Sequence, residues 1–329
     1  MYSNLAAVLI FFLLVACKQE SSIISGMAKP DFIFENLDTT ISPAKDFFQY
    51  ANNGWIKKNP IPADQSSWGI GNLVLEENIK RLRQISEVAA AKNSASPGTP
   101  DQMIGDFWAS GMDSAKIEKD RLTYLKPYLN QIDKIKDIPS MMELVASFKK
   151  IGSSTFFSDF VNQDDKNSEM MTYTFYQGGT GLPEREYYFK NDSATINIRN
   201  QYISYIGKIL HIAGKDSVAS IQSGQQILAF ETKLAKASRK IEDLRDPYAN
   251  YNKMAIRDLK KMSPFIDLQN YLKNAGVSHL DSVIVGQPEF YTSMNQITKA
   301  TPLDLLKDYL RFNLVSDFAG ALPDPFGIA

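Results

Sequence analysis

Residues able to do chemistry are few in this chain. It holds two histidines, His211 and His279, and one cysteine, Cys17. A hydrolytic zinc needs two or more imidazole or carboxylate ligands fixed in space, and the helical form of such a site sets two histidines four apart around a glutamate. His211 sits in the apolar stretch Lys208-Ile209-Leu210-His211-Ile212, and His279 in Val277-Ser278-His279-Leu280 beside a turn. Neither belongs to a ligand spacing, so both read as structural. A Ser–His or Cys–His pair fares no better, because no Gly-x-Ser-x-Gly elbow is present and the cysteine has another use. No catalytic residue and no metal ligand is assigned to this chain.

Two stretches imitate other chemistries. Gln177-Gly178-Gly179-Thr180-Gly181 is glycine-rich, but no Gly-Lys-Ser/Thr follows it, so it reads as a flexible turn and not as a phosphate cradle. Glu184 and Glu186 flank Arg185, and a loop ion pair is a simpler reading than paired carboxylates for glycoside hydrolysis. Glu76 and Glu77, with Lys80 and Arg81 at helical spacing, read as a solvated helix face.

The elements that would position any site are mainly helical. The spacing predicts a helix over Asn72–Glu87. Leu122, Leu125, Leu129 and Ile132 recur at steps of three and four on one helix face. Ser140 followed by Glu143 has the form of a capping box, opening a helix with the stripe Leu144, Phe148, Ile151 and a stop at Gly152. Asp216 caps another, with Val218, Ile221, Leu228 and Leu234 expected to face inward. Thr301-Pro302 supplies a cap and a first-turn proline for the helix carrying Leu305, Leu306 and Tyr309. The one strand pair is Thr155–Val161 with Met170–Tyr176, joined through Asp164-Asp165-Lys166-Asn167. The fold class is therefore mainly α-helical with a small β-hairpin.

Charge narrows the partners. With 36 basic and 37 acidic residues the formal charge is −1, which leaves no basic excess to neutralise a phosphate backbone and argues against nucleic acid. At 44% apolar and 11% aromatic residues the body of the chain is globular. Ahead of it, Leu5–Ala16 is an apolar run of about twelve residues ending at Cys17, too short to span a bilayer as a helix. That pattern reads as a lipoprotein signal peptide over residues 1–16, with Cys17 as the lipidated N-terminus and residues 17–30 as a tether. It places the protein in the cell envelope, held to a membrane by lipid and facing the periplasm or the exterior. A Ser-, Pro- and Gly-rich break at Lys92–Pro100 divides a first segment, residues 31–91, from a long helical lobe, residues 101–329.

The wording of several stretches is more specific than any of these patterns. Asp46-Phe47-Phe48-Gln49-Tyr50-Ala51-Asn52-Asn53-Gly54-Trp55, Pro60-Ile61-Pro62-Ala63-Asp64 and Ser66-Ser67-Trp68-Gly69 come first. Val161-Asn162-Gln163-Asp164, Gly181-Leu182-Pro183-Glu184-Arg185-Glu186-Tyr187-Tyr188 and Phe230-Glu231-Thr232-Lys233-Leu234-Ala235 follow. Arg245-Asp246-Pro247 and Tyr251-Asn252-Lys253-Met254 complete the series. In this order they resemble the N-terminal lobe of the neprilysin family of zinc metalloendopeptidases, the bacterial oligopeptidase O branch above all.

The resemblance implies a two-lobed enzyme in which this chain forms the lid lobe that admits oligopeptides of limited size. Residues 31–91 would dock on a catalytic lobe. The zinc-binding His-Glu-x-x-His helix, a further glutamate ligand and the backbone-binding Asn-Ala segment would all belong to that other lobe, so zinc is expected in a complete family member and not on this chain's own residues. Ser67 becomes a candidate substrate-cavity residue, and Trp68 beside it is either a second one or a core anchor, the core being the more frequent use of such a tryptophan. In the family's namesake an arginine that holds the substrate's C-terminal carboxylate stands at the position matching Ser67, and a neutral hydroxyl lacks that charged fork. The expectation is of a substrate-gating portion that is inactive alone, incomplete at its C-terminal end, and exposing apolar surface on its last helix and around Phe47, Phe48, Tyr50 and Trp55. The alternative is a non-catalytic peptide-binding or scaffolding lipoprotein.

Overall fold

The computed structural model describes residues 32–327 except Asn93; the apolar leader, Cys17 and the tether lie outside the described residues. The chain divides into two compact units, the first ending at Trp108 and the second starting at Ala109.

The first unit is helical. A short α1 (Phe32–Asn36) leads to α2 (Phe47–Lys58), which opens where the Asp46 carboxylate accepts the Gln49 amide at 2.9 Å. The long α3 (Ile70–Ala90) extends the predicted helix by a few residues at each end, and Glu77 pairs with Arg81 on its solvated side. Helix α4 (Pro100–Met112) begins after the Ser/Pro/Gly-rich turn and crosses α3 at Gly105, where a β-carbon would stand 2.7 Å from the Ala89 carbonyl.

In the second unit, α5 (Ser114–Asp120), α6 (Lys126–Asp133) and α7 (Ile138–Lys149) precede the sheet. Leu125 and Ile132 are buried and Leu122 and Leu129 pack against the core, as their spacing predicts, although residues 121–125 are turns and the helix starts at Lys126. The cap of helix α7 is Asp137, three residues before the predicted one. Asp137 accepts the Ser140 amide at 2.8 Å and Ser140 bonds back, so Ser140 sits inside a capping box and Pro139 occupies the first turn. Gly152, at φ +86°, lies just beyond the helix end as expected.

Strands β1 (Phe157–Asp164) and β2 (Asn167–Gln177) form the expected hairpin, in the register Phe157↔Gln177 through Gln163↔Met171. The sheet is larger than the hairpin. After α8 (Ser193–Ile212) and α9 (Ser217–Ala237), β3 (Lys253–Ala255) and β4 (Ser282–Val285) join it in the order β1-β2-β4-β3, with β4 parallel to β2. Val283, Ile284 and Val285 are all buried, a run with no alternation for a period-two reading to find. The remaining helices are α10 (Leu259–Met262), α11 (Leu268–Ala275), α12 (Pro288–Ala300), α13 (Leu303–Asp317) and α14 (Asp324–Gly327).

Three helix expectations need correction. Asp216 does cap α9, but Val218 and Ile221 are exposed, and the inward face runs through Ser220, Ser223, Ile227, Phe230, Glu231 and Leu234. Its first turns bury small side chains, so an apolar count misplaced the face. Pro302 is the cap of α13 and not its first-turn residue, while the Thr301 hydroxyl bonds back to Ile297. Nor does α13 lack a partner. Leu306, Tyr309, Leu310, Leu314 and Val315 are buried, and Tyr309 packs edge-on against Phe156 and Phe230 in the middle of the core.

Candidate functional site

The motif residues of the first unit converge on one groove. Asp38 fastens α1 to α2: its carboxylate accepts the Lys57 ammonium at 2.8 Å, the Asn53 amide at 2.6 Å and the Thr40 hydroxyl at 2.5 Å, which holds it far below the usual carboxylate range. The helices touch at Gly54, where a β-carbon would meet the Asn36 carbonyl oxygen at 2.7 Å. Glycine beside tryptophan thus has a local cause: Gly54 allows the crossing, and Trp55, one residue on, lines a cavity of about 620 Å³. Phe48, Ile56, Ile61, Trp68 and Ile70 line it too, with polar atoms supplied by Asn36, Asn52 and Asn59. Its lining holds no acid, base or nucleophile. Trp68 lines this groove, while its neighbour Ser67 is exposed.

Helix α3 continues that apolar character. Ile70, Val74, Leu75, Ile79, Leu82, Ile85 and Val88 are each more than half exposed. Phe47 and Phe48 are exposed as well, and Tyr50 and Trp55 half-buried. So much uncovered apolar surface on one small unit is the mark of an interaction site.

The second unit joins motifs that are far apart in sequence. Glu231 on α9 receives the Tyr188 hydroxyl at 2.7 Å, the Tyr202 hydroxyl at 2.9 Å and the Gly181 amide at 3.2 Å. Burial pushes its carboxyl up to about 7 against the pull of these three donors. Asp164, in the β1–β2 turn, receives Lys253 at 2.8 Å, the Lys166 amide at 2.9 Å and the Tyr251 hydroxyl at 2.8 Å, and these hold its carboxyl down at about 2. The two motif segments ending at Asp164 and starting at Tyr251 meet here. Asp159 accepts from Lys149 at 2.6 Å and Tyr271 at 2.7 Å, and also from Tyr173.

Gly178 and Gly179 form no flexible turn. β-Carbons there would lie 2.8 Å and 2.5 Å from the Ser158 nitrogen and the Phe156 carbonyl oxygen, and Tyr309 donates to the Gly179 carbonyl at 2.9 Å. Close backbone packing accounts for both glycines. Phe156 opposite them holds φ +68°, an uncommon conformation for a bulky side chain, with its amide bonded to Tyr309 at 3.3 Å. Arg185 pairs with Glu186 at 2.6 Å, as its neighbours predict.

Sequence reasoning missed the role of Glu231 and Asp164, because a buried carboxylate carries no local signature apart from its partners. Among the described residues no three His, Cys, Asp or Glu side chains converge as a metal site. His211 is exposed and its Nδ1 lies 3.0 Å from the Lys215 carbonyl, while His279 holds φ +61° in the turn before β4. These residues do not fit a zinc ion. No described helix is long and apolar enough to cross a membrane.

Comparison with known proteins agrees with this architecture. Endothelin-converting enzyme 1 of Rattus norvegicus is 28% identical over 312 residues, covering 89% of this chain and 39% of its own length. Endothelin-converting enzyme-like 1 of Mus musculus is 28% identical over 315 residues, covering 90% of this chain and 40% of its own length. The Mycobacterium tuberculosis zinc metalloprotease ZMP1 in complex with an inhibitor shares the fold with a TM-score of 0.82 at 24% identity, over 89% of this chain and 45% of that one. PepO from Lactobacillus rhamnosis HN001 gives 0.71 at 14% identity, over 87% and 45%. The chain spans about two fifths of the length of the curated relatives it matches. The model of peptidase family M13, in its N-terminal part, matches residues 43–329, and the chain belongs to that family.

Proposed function

We propose that this chain is the substrate-gating portion of a zinc metalloendopeptidase acting on oligopeptides, and that it does not hydrolyse peptides by itself. The observation that carries the reading is the apolar row along α3 together with the groove at Trp55 and Trp68, surface that a second lobe would cover. The share of its relatives' length that the chain spans is consistent with a catalytic lobe supplied by other sequence. Zinc would be held by that lobe. The leader supports lipid attachment at Cys17 and residence at a membrane surface in the cell envelope.

Zinc content and fluorogenic-peptide hydrolysis test this, measured on the purified chain alone and after mixing with a polypeptide that carries the catalytic part of a family member. Zinc and hydrolysis appearing only on mixing support it. Activity of the chain alone overturns it. Silence in both conditions, with peptide retained in the groove, favours a binding or scaffolding lipoprotein instead. Replacing Cys17 by serine should abolish incorporation of labelled fatty acid, and unchanged labelling would remove the anchor from the proposal.

A further inference from the structure

Glu231 is 1% exposed, and no cation balances it. None of the ion pairs among the described residues includes it. The groups that face it are phenols: Tyr188 from the 3-10 turn at Arg185–Tyr188, Tyr202 from α8 and, at longer range, Tyr309 from α13. The other charged or titratable groups on the elements packed around α9 have partners of their own or are exposed: on α8, Arg199 donates to the Tyr187 carbonyl, Tyr205 pairs with Ser316, and Lys208 and His211 are exposed, while in the 3-10 turn Arg185 pairs with Glu186. Asp308 on α13 binds Lys215 and Ser223, and Asp317 binds Ser153. On α12, Glu289 binds Arg239 and Tyr291 donates to the Tyr176 carbonyl. Lys233 and Lys236, on α9 itself, are exposed.

The same carboxyl is what fastens one loop. Gly181 donates its amide to Glu231, and Leu182 donates its amide at 3.0 Å to the hydroxyl of Tyr188, which in turn donates to Glu231. Gly181 has no room to shift toward α8, since a β-carbon there would stand 2.0 Å from the Tyr202 hydroxyl. We propose that Glu231 is a proton-operated latch: protonated, it holds the loop of residues 181–188 against α8 and α9, and its ionisation releases it.

The proton has a place to sit. On the Oε1 side the new O–H donates to the Tyr202 oxygen, whose own hydrogen turns away, while Oε2 keeps both donors from the loop. Loss of the proton leaves a full negative charge in an apolar core with only neutral donors around it, and opening the loop lets water reach that charge. Burial has already pushed this carboxyl up to about 7, so the change falls near neutral pH. What the latch controls is the cavity of about 190 Å³ that the loop shares with the segment after α9, lined by Thr180, Pro183, Arg185, Ser238, Arg239 and Lys240.

Hydrogen exchange at the Gly181 and Leu182 amides, compared at pH 6 and pH 8 and corrected for intrinsic rates, reads the latch directly. A carboxyl near 7 when closed and near 4.5 when open predicts about a tenfold loss of protection between these two pH values. Glu231→Gln should show no such step. Equal corrected protection of the natural chain at both pH values, or an undiminished step in the glutamine variant, overturns the proposal. If that variant does not fold, Tyr202→Phe decides: the hydroxyl bonds both forms of the carboxyl but the ionised one more strongly, so its loss should move the step to higher pH, and an unmoved step counts against Glu231. The carboxyl carbon resonance of Glu231 provides a second readout, and titration in the ordinary glutamate range would also overturn the latch. None of these measurements depends on whether the chain gates a peptidase.

Discussion

The Tyr188 hydroxyl donates to Glu231 at 2.7 Å across 43 residues of sequence, so two motifs with no apparent relation in the sequence are one hydrogen-bonded unit. The arrangement makes stability depend on pH in a direction opposite to most paired carboxylates. The folded value of about 7 lies above the ordinary 4.5, so the folded state binds the extra proton between them. Stability is full below about pH 4.5, falls as pH rises to about 7 and is level beyond, a loss on the order of 3 kcal/mol. Glu231→Gln should remove that slope and melt higher than the natural chain at pH 8. A steeper loss for the variant would contradict this account.

Asp164 acts in the other sense. Its folded carboxyl, near 2, lies below the ordinary 3.8, so its contribution is present above about pH 4 and fades as pH falls toward 2. Asp164→Asn weakens the links to Tyr251 and Lys253, and the expected outcome is a melting midpoint lower by about 2–4 °C at pH 7. The difference should shrink to a small remainder at pH 2, where the folded carboxyl is about half protonated, and thermal melts at the two pH values check it.

Gly54→Ala should loosen the first unit. Its β-carbon would meet the Asn36 backbone, which has no rotamer with which to yield, and the cost is about 1–3 kcal/mol. Increased exchange of the Asp38 amide, which bonds to the Tyr50 carbonyl at 2.8 Å, would report the separation of α1 from α2.

Gly181→Ala places a methyl group on the Tyr202 hydroxyl. The single substitution should destabilise the second unit, and pairing it with Tyr202→Phe should recover part of the loss. Strict additivity of the two changes would show that they do not share a cause.

Replacing Ile79 and Leu82 on α3 by glutamine should leave the isolated chain within about 0.5 kcal/mol of its starting stability, because both side chains already face solvent. Binding of an apolar dye should fall and solubility rise. Marked unfolding would mean that the row is packed in solution.

Much of the helical frame was legible from spacing and caps, with Asp216 and Gly152 placed as read. Strand β4 was not, since Val283–Val285 is buried on both faces and carries no period. The inward face of α9 was misread because its buried turns use Ser220, Ser223 and Gly224, which let α8 approach until a β-carbon on Gly224 would lie 2.7 Å from the Ile203 carbonyl. Of the site, the motif around Trp68 left a cavity-lining and a core role open, and the structure puts Trp68 on the lining of the groove. The partners of Glu231 and Asp164 were not, because a buried charge is defined by groups distant in sequence.

Helix α13, found at the centre of the core, also sets when the lobe can be finished. Tyr309 bonds to the Phe156 amide 153 residues earlier, and β2 waits for β4 across more than a hundred positions. At roughly 5–20 residues per second of synthesis, Phe156 emerges roughly eight to thirty seconds before the tyrosine that bonds to it. Until then Phe156 and Phe230 lack the Tyr309 ring that packs edge-on against both in the finished lobe, so part of the future core stays open on the growing chain for that interval.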